Sequence, residues 1–146
     1  MDYTIDFNAI LPVVEEEVSR VASRSYSDDG SALYDGIKIV SRDEATLKRL
    51  LSDVTDVLLA RFHDFVAAVS KDPNVVDFYL PDLPDYYEER IRTVLDRYVS
   101  MGIVGRWLQE RGGSEFQMYL DRSEASITEA ELLMVTRKKL EREAHS

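Results

Sequence analysis

A chain of 146 residues, 45% hydrophobic and 32% charged, has room for one domain that buries roughly 70% of the surface its unfolded form would expose. It holds no cysteine, which removes disulfides, thiolate nucleophiles and cysteine-ligated zinc or iron–sulfur centres, and favours a reducing compartment. A net charge of −10 argues against direct nucleic-acid binding, because neutralising phosphates takes a cationic surface, and no apolar run approaches the ~20 residues that cross a bilayer.

The opening residues, MDYTIDFNAI, carry two aspartates and no lysine or arginine, so the positive region of a secretory signal is missing and a cytoplasmic protein is expected. Tyr3, Ile5 and Phe7 alternate with polar residues, the period-two pattern of a short strand or of an extended arm over residues 1–7. From about Asn8 the spacing lengthens to Ile10, Val14, Val18 and Val21, which predicts a first helix. Pro12 is tolerable there only within the first turn, where its missing N–H has no partner to lose, and Glu15, Glu16 and Glu17 then lie near the positive helix start. Ser25 to Gly36, rich in Ser, Asp and Gly, reads as a loop; Ile37 and Ile39, with Leu33, alternate as a further short strand.

Ser41-Arg-Asp-Glu44 is a capping box, in which a hydroxyl and a carboxylate satisfy the free N–H groups of a helix start. It predicts a second helix with the stripe Leu47, Leu51, Val54, Leu58, Phe62, Phe65 and Val69, widened by Leu50, Val57 and Val66 and running to about Ser70. Lys71-Asp-Pro-Asn74 breaks it. Val75-Val-Asp-Phe-Tyr-Leu80 is β-branched and aromatic, and predicts a strand that pairs with Ile37–Val40 as a two-stranded ribbon lying against the helices.

After Pro81 and Pro84 a third helix follows, with Asp85, Glu88 and Glu89 in its first turns and the face Tyr87, Ile91, Val94, Leu95, Tyr98 and Val99. Gly102 and Gly105 fall inside it at about 1 kcal/mol each against alanine, and two glycines three apart allow either close backbone approach or a bend in exchange. Trp107 belongs to the core with Ile103, Val104 and Leu108. Gly112-Gly113 ends the helix, and a second box, Ser114-Glu-Phe-Gln117, opens a fourth with the stripe Phe116, Leu120, Ser123, Ile127, Ala130 and Met134, and Leu133 beside it. Residues 141–146 are expected to fray. The prediction is one mainly α domain over residues 1–146: a four-helix bundle-like body, a small two-stranded β ribbon and an extended N-terminal arm.

Residue types that carry chemistry are sparse. His63 and His145 form no His-x-x-x-His or Glu-x-x-His pair, so zinc-protease and di-iron helix signatures are absent. His63 reads as a partly exposed helix residue or as a base without a nucleophile nearby in sequence. Helical carboxylate pairs such as Asp53 with Asp56 are coincidences that 28 acidic residues guarantee. Gly102-Ile-Val-Gly105 lacks the strand a phosphate loop needs, and Asp28-Asp-Gly30 lacks the ligand spacing of a calcium loop. The expectation is therefore a protein that is not an enzyme, with no catalytic, metal or cofactor site.

What remains suits protein contacts. Tyr3, Ile5 and Phe7 are candidates for an arm that adds to a neighbour's sheet edge, and Tyr79, Tyr86 and Tyr87 serve either core packing or a binding surface, where tyrosine is enriched. The basic run Arg137, Lys138, Lys139 and Arg142 either offsets the negative end of the last helix or meets an acidic partner. Tyr98-Val-Ser-Met-Gly-Ile-Val-Gly-Arg-Trp-Leu108, then a polar break, then Glu115-Phe-Gln-Met-Tyr119 opening a helix that ends in Arg137-Lys-Lys139, resembles the small helical head–tail connector or neck-type proteins of tailed bacteriophages and prophages. That resemblance covers about the last sixty residues. It implies a structural virion subunit that assembles as a homo-oligomeric ring between portal and tail proteins. The alternative from composition is a small acidic cytoplasmic adaptor or regulatory bundle that binds a basic protein.

Overall fold

A computed structural model describes residues 1–23, 39–72, 74–81, 85–113 and 115–145, with side chains of the last helix through residue 135. The fold is mainly α, as the periodicity predicts. In chain order come β1 (Asp2–Asp6), α1 (Phe7–Ala22), a 3-10 turn (Ser41–Asp43), α2 (Glu44–Arg61), β2 (Ala68–Lys71), β3 (Val75–Tyr79), α3 (Asp85–Arg111) and α4 (Phe116–His145).

The hub is α3, which packs against α1, α2 and α4. Its Ile91, Val94, Leu95, Val99, Ile103, Val104, Trp107 and Leu108 are all buried, together more than one stripe, because neighbours cover it on several sides. Helix α4 returns antiparallel along it after Gly112, whose φ of 75° supplies the left-handed turn residue, while the Gly113 N–H donates to the Leu108 carbonyl at 2.7 Å to close the helix end. The two in-helix glycines explain the contact. A methyl group on Gly105 would stand 2.7 Å from Leu120 Cδ2 and 3.0 Å from the Leu120 backbone nitrogen, and one on Gly102 would meet Ser123 Oγ at 2.9 Å.

The N-terminal segment is not a free arm. β1 pairs antiparallel with β3, Tyr3 opposite Phe78 and Ile5 opposite Val76, and β2 pairs with the other side of β3, so the sheet has three strands in the order β1-β3-β2. Burial drives this: Tyr3, Ile5, Val76 and Phe78 all lie on its inner face and are buried, worth roughly 1.5–3 kcal/mol for each side chain. The expected partner of β3, Ile37–Val40, is not the one used. Ile39 and Val40 lie outside any strand, and Ile37, like the predicted loop Ser25–Gly36, lies outside the described residues.

The second helix ends at Arg61, well before Ser70. The Phe62 N–H closes it onto the Leu58 carbonyl, and the Phe65 and Val66 N–H groups both turn back to the Phe62 carbonyl. Phe65 and Val69 share the helical spacing by coincidence, since Val69 stands in β2 opposite Phe78. The start also differs. Ser41 does not cap; the Asp43 carboxylate accepts the Val40 N–H at 2.8 Å and Arg111 at 3.1 Å, tying the entry of α2 to the end of α3. Ser114 lies outside the described residues, and the Gln117 amide donates forward to Asp121 at 2.9 Å. Asp6 caps α1 by accepting the Asn8 N–H at 2.9 Å, which places Pro12 in the second turn rather than the first and leaves no acidic residue in the first turn. Glu16 and Glu17 bind Arg20 instead, at 3.3 and 2.7 Å. At the other terminus the helical backbone of α4 continues through residue 141 to His145, where fraying was the expectation.

Buried polar groups are joined across elements. The Tyr98 hydroxyl donates to the Val54 carbonyl at 2.7 Å, and Ser123 Oγ donates to the Tyr98 carbonyl at 2.8 Å, linking α2, α3 and α4. Trp107 is fully buried with the Arg111 guanidinium 4.3 Å from its ring. Trp107→Ala is expected to cost about 3–5 kcal/mol in urea unfolding; a loss under about 1 kcal/mol would contradict this packing.

Burial holds the Tyr98 phenol at a pKa of about 12 against the usual 10, and burial plus the Asp96 carboxylate raise that of Tyr3 further. A raised folded pKa means stabilisation that is complete below the unfolded value and lost as pH climbs through the folded one. Unfolding free energy should therefore fall as pH rises from 10 towards 12, and fall less steeply in Tyr98→Phe; identical slopes in urea titrations of the two would refute the assignment.

Candidate protein-contact surface

The six residues singled out for partner contacts divide into two groups. Tyr3, Ile5 and Phe7 are buried inside their own chain. The Tyr3 ring packs 5.2 Å from Phe78 and its hydroxyl donates to Asp96 of α3 at 2.6 Å, while Phe7 opens α1 with the Lys48 ammonium 5.4 Å from its ring. They lock the sheet onto the helices, with their side chains turned into the chain's own core. Tyr79, at the end of β3, is 41% exposed, and Tyr86, in the first turn of α3, is 73% exposed with its ring 4.5 Å from that of half-buried Tyr87.

The surroundings of Tyr86 follow from one ion pair. Arg90, a turn further along α3, bonds Glu129 of α4 through Nε at 3.0 Å and through Nη2. Because the helices are antiparallel, the turn before Arg90 and the turn after Glu129 lie at the same end of the hairpin. Tyr86 thus shares that end with Leu132, 62% exposed, and Val135, 50% exposed. Helical spacing hid these last two. The stripe that sequence periodicity selects on α4 faces the core, and Met118, Ala125 and Leu132 recur every seven residues on the opposite side, a signal present in the sequence but outweighed by the stronger apolar stripe.

Two grooves flank Arg97 and Met101 on α3. One, of about 470 Å³, runs against β1 and α1 and includes Asp6, Ile10, Val13 and Asp96; the other, of about 420 Å³, runs against α4 and includes Arg122, Ser126 and Glu129. Each carboxylate on these walls is already engaged: Asp6 by the Asn8 N–H, Asp96 by the Tyr3 hydroxyl and Glu129 by Arg90. His63 lies in the turn after α2, exposed, with Nε2 3.1 Å from Asp64 and Nδ1 3.1 Å from the Ala60 carbonyl. Among the described residues no three His, Cys, Asp or Glu side chains converge as a metal site, and no helix is long and apolar enough to cross a membrane.

Truncating the two tyrosine classes should therefore read differently. Tyr86→Ala is expected to leave stability within about 0.5 kcal/mol of the parent, and Tyr3→Ala to cost about 3–5 kcal/mol; chemical denaturation of the pair checks the division, and equal losses would overturn it. Comparison with known proteins places no family on this arrangement: no family model, no curated protein and no solved structure matches the chain.

Proposed function

We propose that this chain is a non-enzymatic assembly subunit that works through protein–protein contacts, of the head–tail connector or neck type its C-terminal half resembles. The observation that carries the reading is the exposure of three large side chains at one end of the α3–α4 hairpin, Tyr86 on α3 and Leu132 and Val135 on α4, each half or more exposed. Large apolar and aromatic side chains grouped on a surface mark contact sites, because leaving them in water forgoes their burial energy. The rigid hub beneath supports the same use, since a preorganised face loses little freedom on docking. Such a subunit acts in the cytoplasm during assembly and in the virion afterwards, with portal and tail proteins as partners and with its acidic surface indifferent to DNA.

Co-expression with the portal and tail-completion proteins of the same genome tests this. Co-purification with one of them, lost in a Tyr86→Ala, Leu132→Glu double variant that still folds by circular dichroism, is the expected result. Recovery of the chain with a basic cytoplasmic protein and neither virion component would move the assignment to an adaptor and end the connector reading.

A further inference from the structure

One long side of β1 is free. Met1 and Leu80 exchange both main-chain hydrogen bonds at 2.8 Å, and the Phe7 N–H donates to the Asn74 carbonyl at 2.8 Å, so the odd-numbered residues of β1 spend their main chain on β3. Alternation turns the N–H and C=O groups of Asp2 and Thr4 the other way, and among the described residues no strand stands beside them. Their side chains share the outward face of the sheet with Asp6 and with Asp77 of β3. Asp77 accepts the Thr4 hydroxyl and Asp6 the Asn8 N–H, bonds that leave the carboxylates charged, and among the described residues no lysine or arginine pairs with Asp2, Asp6 or Asp77. On the inward side the same edge borders the groove of about 470 Å³ that Ile10 and Val13 of α1 and Met101 of α3 make apolar. Asp96, which receives the Tyr3 hydroxyl from beneath the sheet, and Arg97 complete that wall.

We propose that an extended segment of a partner protein, alternating basic and apolar residues, adds to the free edge of β1 as a fourth strand. Its N–H and C=O groups pair with those of Asp2 and Thr4, which supply the main-chain hydrogen bonds of strand addition. Successive side chains of a strand point to opposite faces, so every second residue enters the groove over Ile10, Val13 and Met101 while the others lie beside Asp2, Asp6 and Asp77. The first set is therefore apolar and the second basic. The carboxylates also choose between occupants. Two copies of β1 set edge to edge and antiparallel about Thr4 would place Asp2 opposite Asp6, and like charges directly opposed destabilise a strand pair where opposite ones support it. This edge is a second contact surface, on a different part of the molecule from Leu132 and Val135, and the inference goes beyond the assembly reading without depending on it.

The probe is a short capped peptide in which lysine alternates with valine, titrated calorimetrically into the full chain. Saturable binding is expected, and none from the peptide with glutamate in place of lysine. Binding should also vanish when one alternate set of peptide amides is N-methylated, the lysine amides for an antiparallel strand or the valine amides for a parallel one, since only that set faces Asp2 and Thr4. Thr4→Pro removes an edge donor without removing a main-chain bond to β3, and Val13→Glu puts a charge into the groove. Each should weaken binding about tenfold or more while the far-ultraviolet spectrum stays that of the parent. Should Thr4→Pro fail to fold, Val13→Glu and the methylated peptides decide. Absence of saturable binding, binding that survives methylation of each set in turn, or equal affinity for the glutamate peptide overturns the proposal. Self-association of the parent that is lost in folded Thr4→Pro overturns it too, by giving the edge to a second copy.

Discussion

The close packing of α3 at its two glycines, Gly105 against the main chain and side chain of Leu120 on α4 and Gly102 against Ser123 of α4 and Val54 of α2, is the constraint on which the rest of the molecule depends. A side chain at either position would push the helices apart, and the neighbours it would strike include the Leu120 main chain, which cannot swing away. Close approach brings Ser123 Oγ within reach of the Tyr98 carbonyl and leaves the Tyr98 hydroxyl aimed at the Val54 carbonyl of α2. Three helices are thereby fixed by two hydrogen bonds made inside the apolar core, where an unmade bond costs more than a made one gains. The helix penalty of two glycines, about 1 kcal/mol each, is small beside what this packing contributes.

The same constraint decides what stays on the surface. Once α4 spends its apolar stripe on α3, its opposite side has nothing within the described residues to cover it, and Leu132 and Val135 remain in water. On the other flank of α3, the Tyr3 hydroxyl reaches Asp96 and carries the sheet with it. Interior and exterior are thus assigned by one helix with several neighbours.

Helix identity was legible where spacing and termination agreed: α3 and α4 follow their predicted faces, and the Gly112-Gly113 stop is used as a helix end. Sheet pairing was not. Val75–Tyr79 reads as a strand from its β-branched and aromatic residues, but nothing local says whether Tyr3 or Ile39 lies beside it; burial of Tyr3 and Ile5 against the helices decides, and that is a tertiary quantity. The end of α2 failed for a related reason, because Phe65 and Val69 keep the helical spacing while the backbone has already turned at Phe62. Ser41 matched a capping motif whose carboxylate work falls to Asp43. Of the six residues singled out for contacts, Tyr79 and Tyr86 remain exposed and Tyr87 half-buried, whereas Tyr3, Ile5 and Phe7 are buried and look the same in sequence whether they meet their own core or a neighbour's.

The pairing of β1 with β3 joins Thr4 to Asp77, 73 positions away along the chain, whereas the α3–α4 hairpin closes over a few residues around Gly112. Loop-closure entropy grows with the length enclosed, so the hairpin is cheap to nucleate and the sheet is dear. On a ribosome the first strand emerges long before its mate exists, and its apolar side chains must wait in solution until β3 arrives. The N-terminal strand is therefore the latch that closes only once distant parts of the chain have been made.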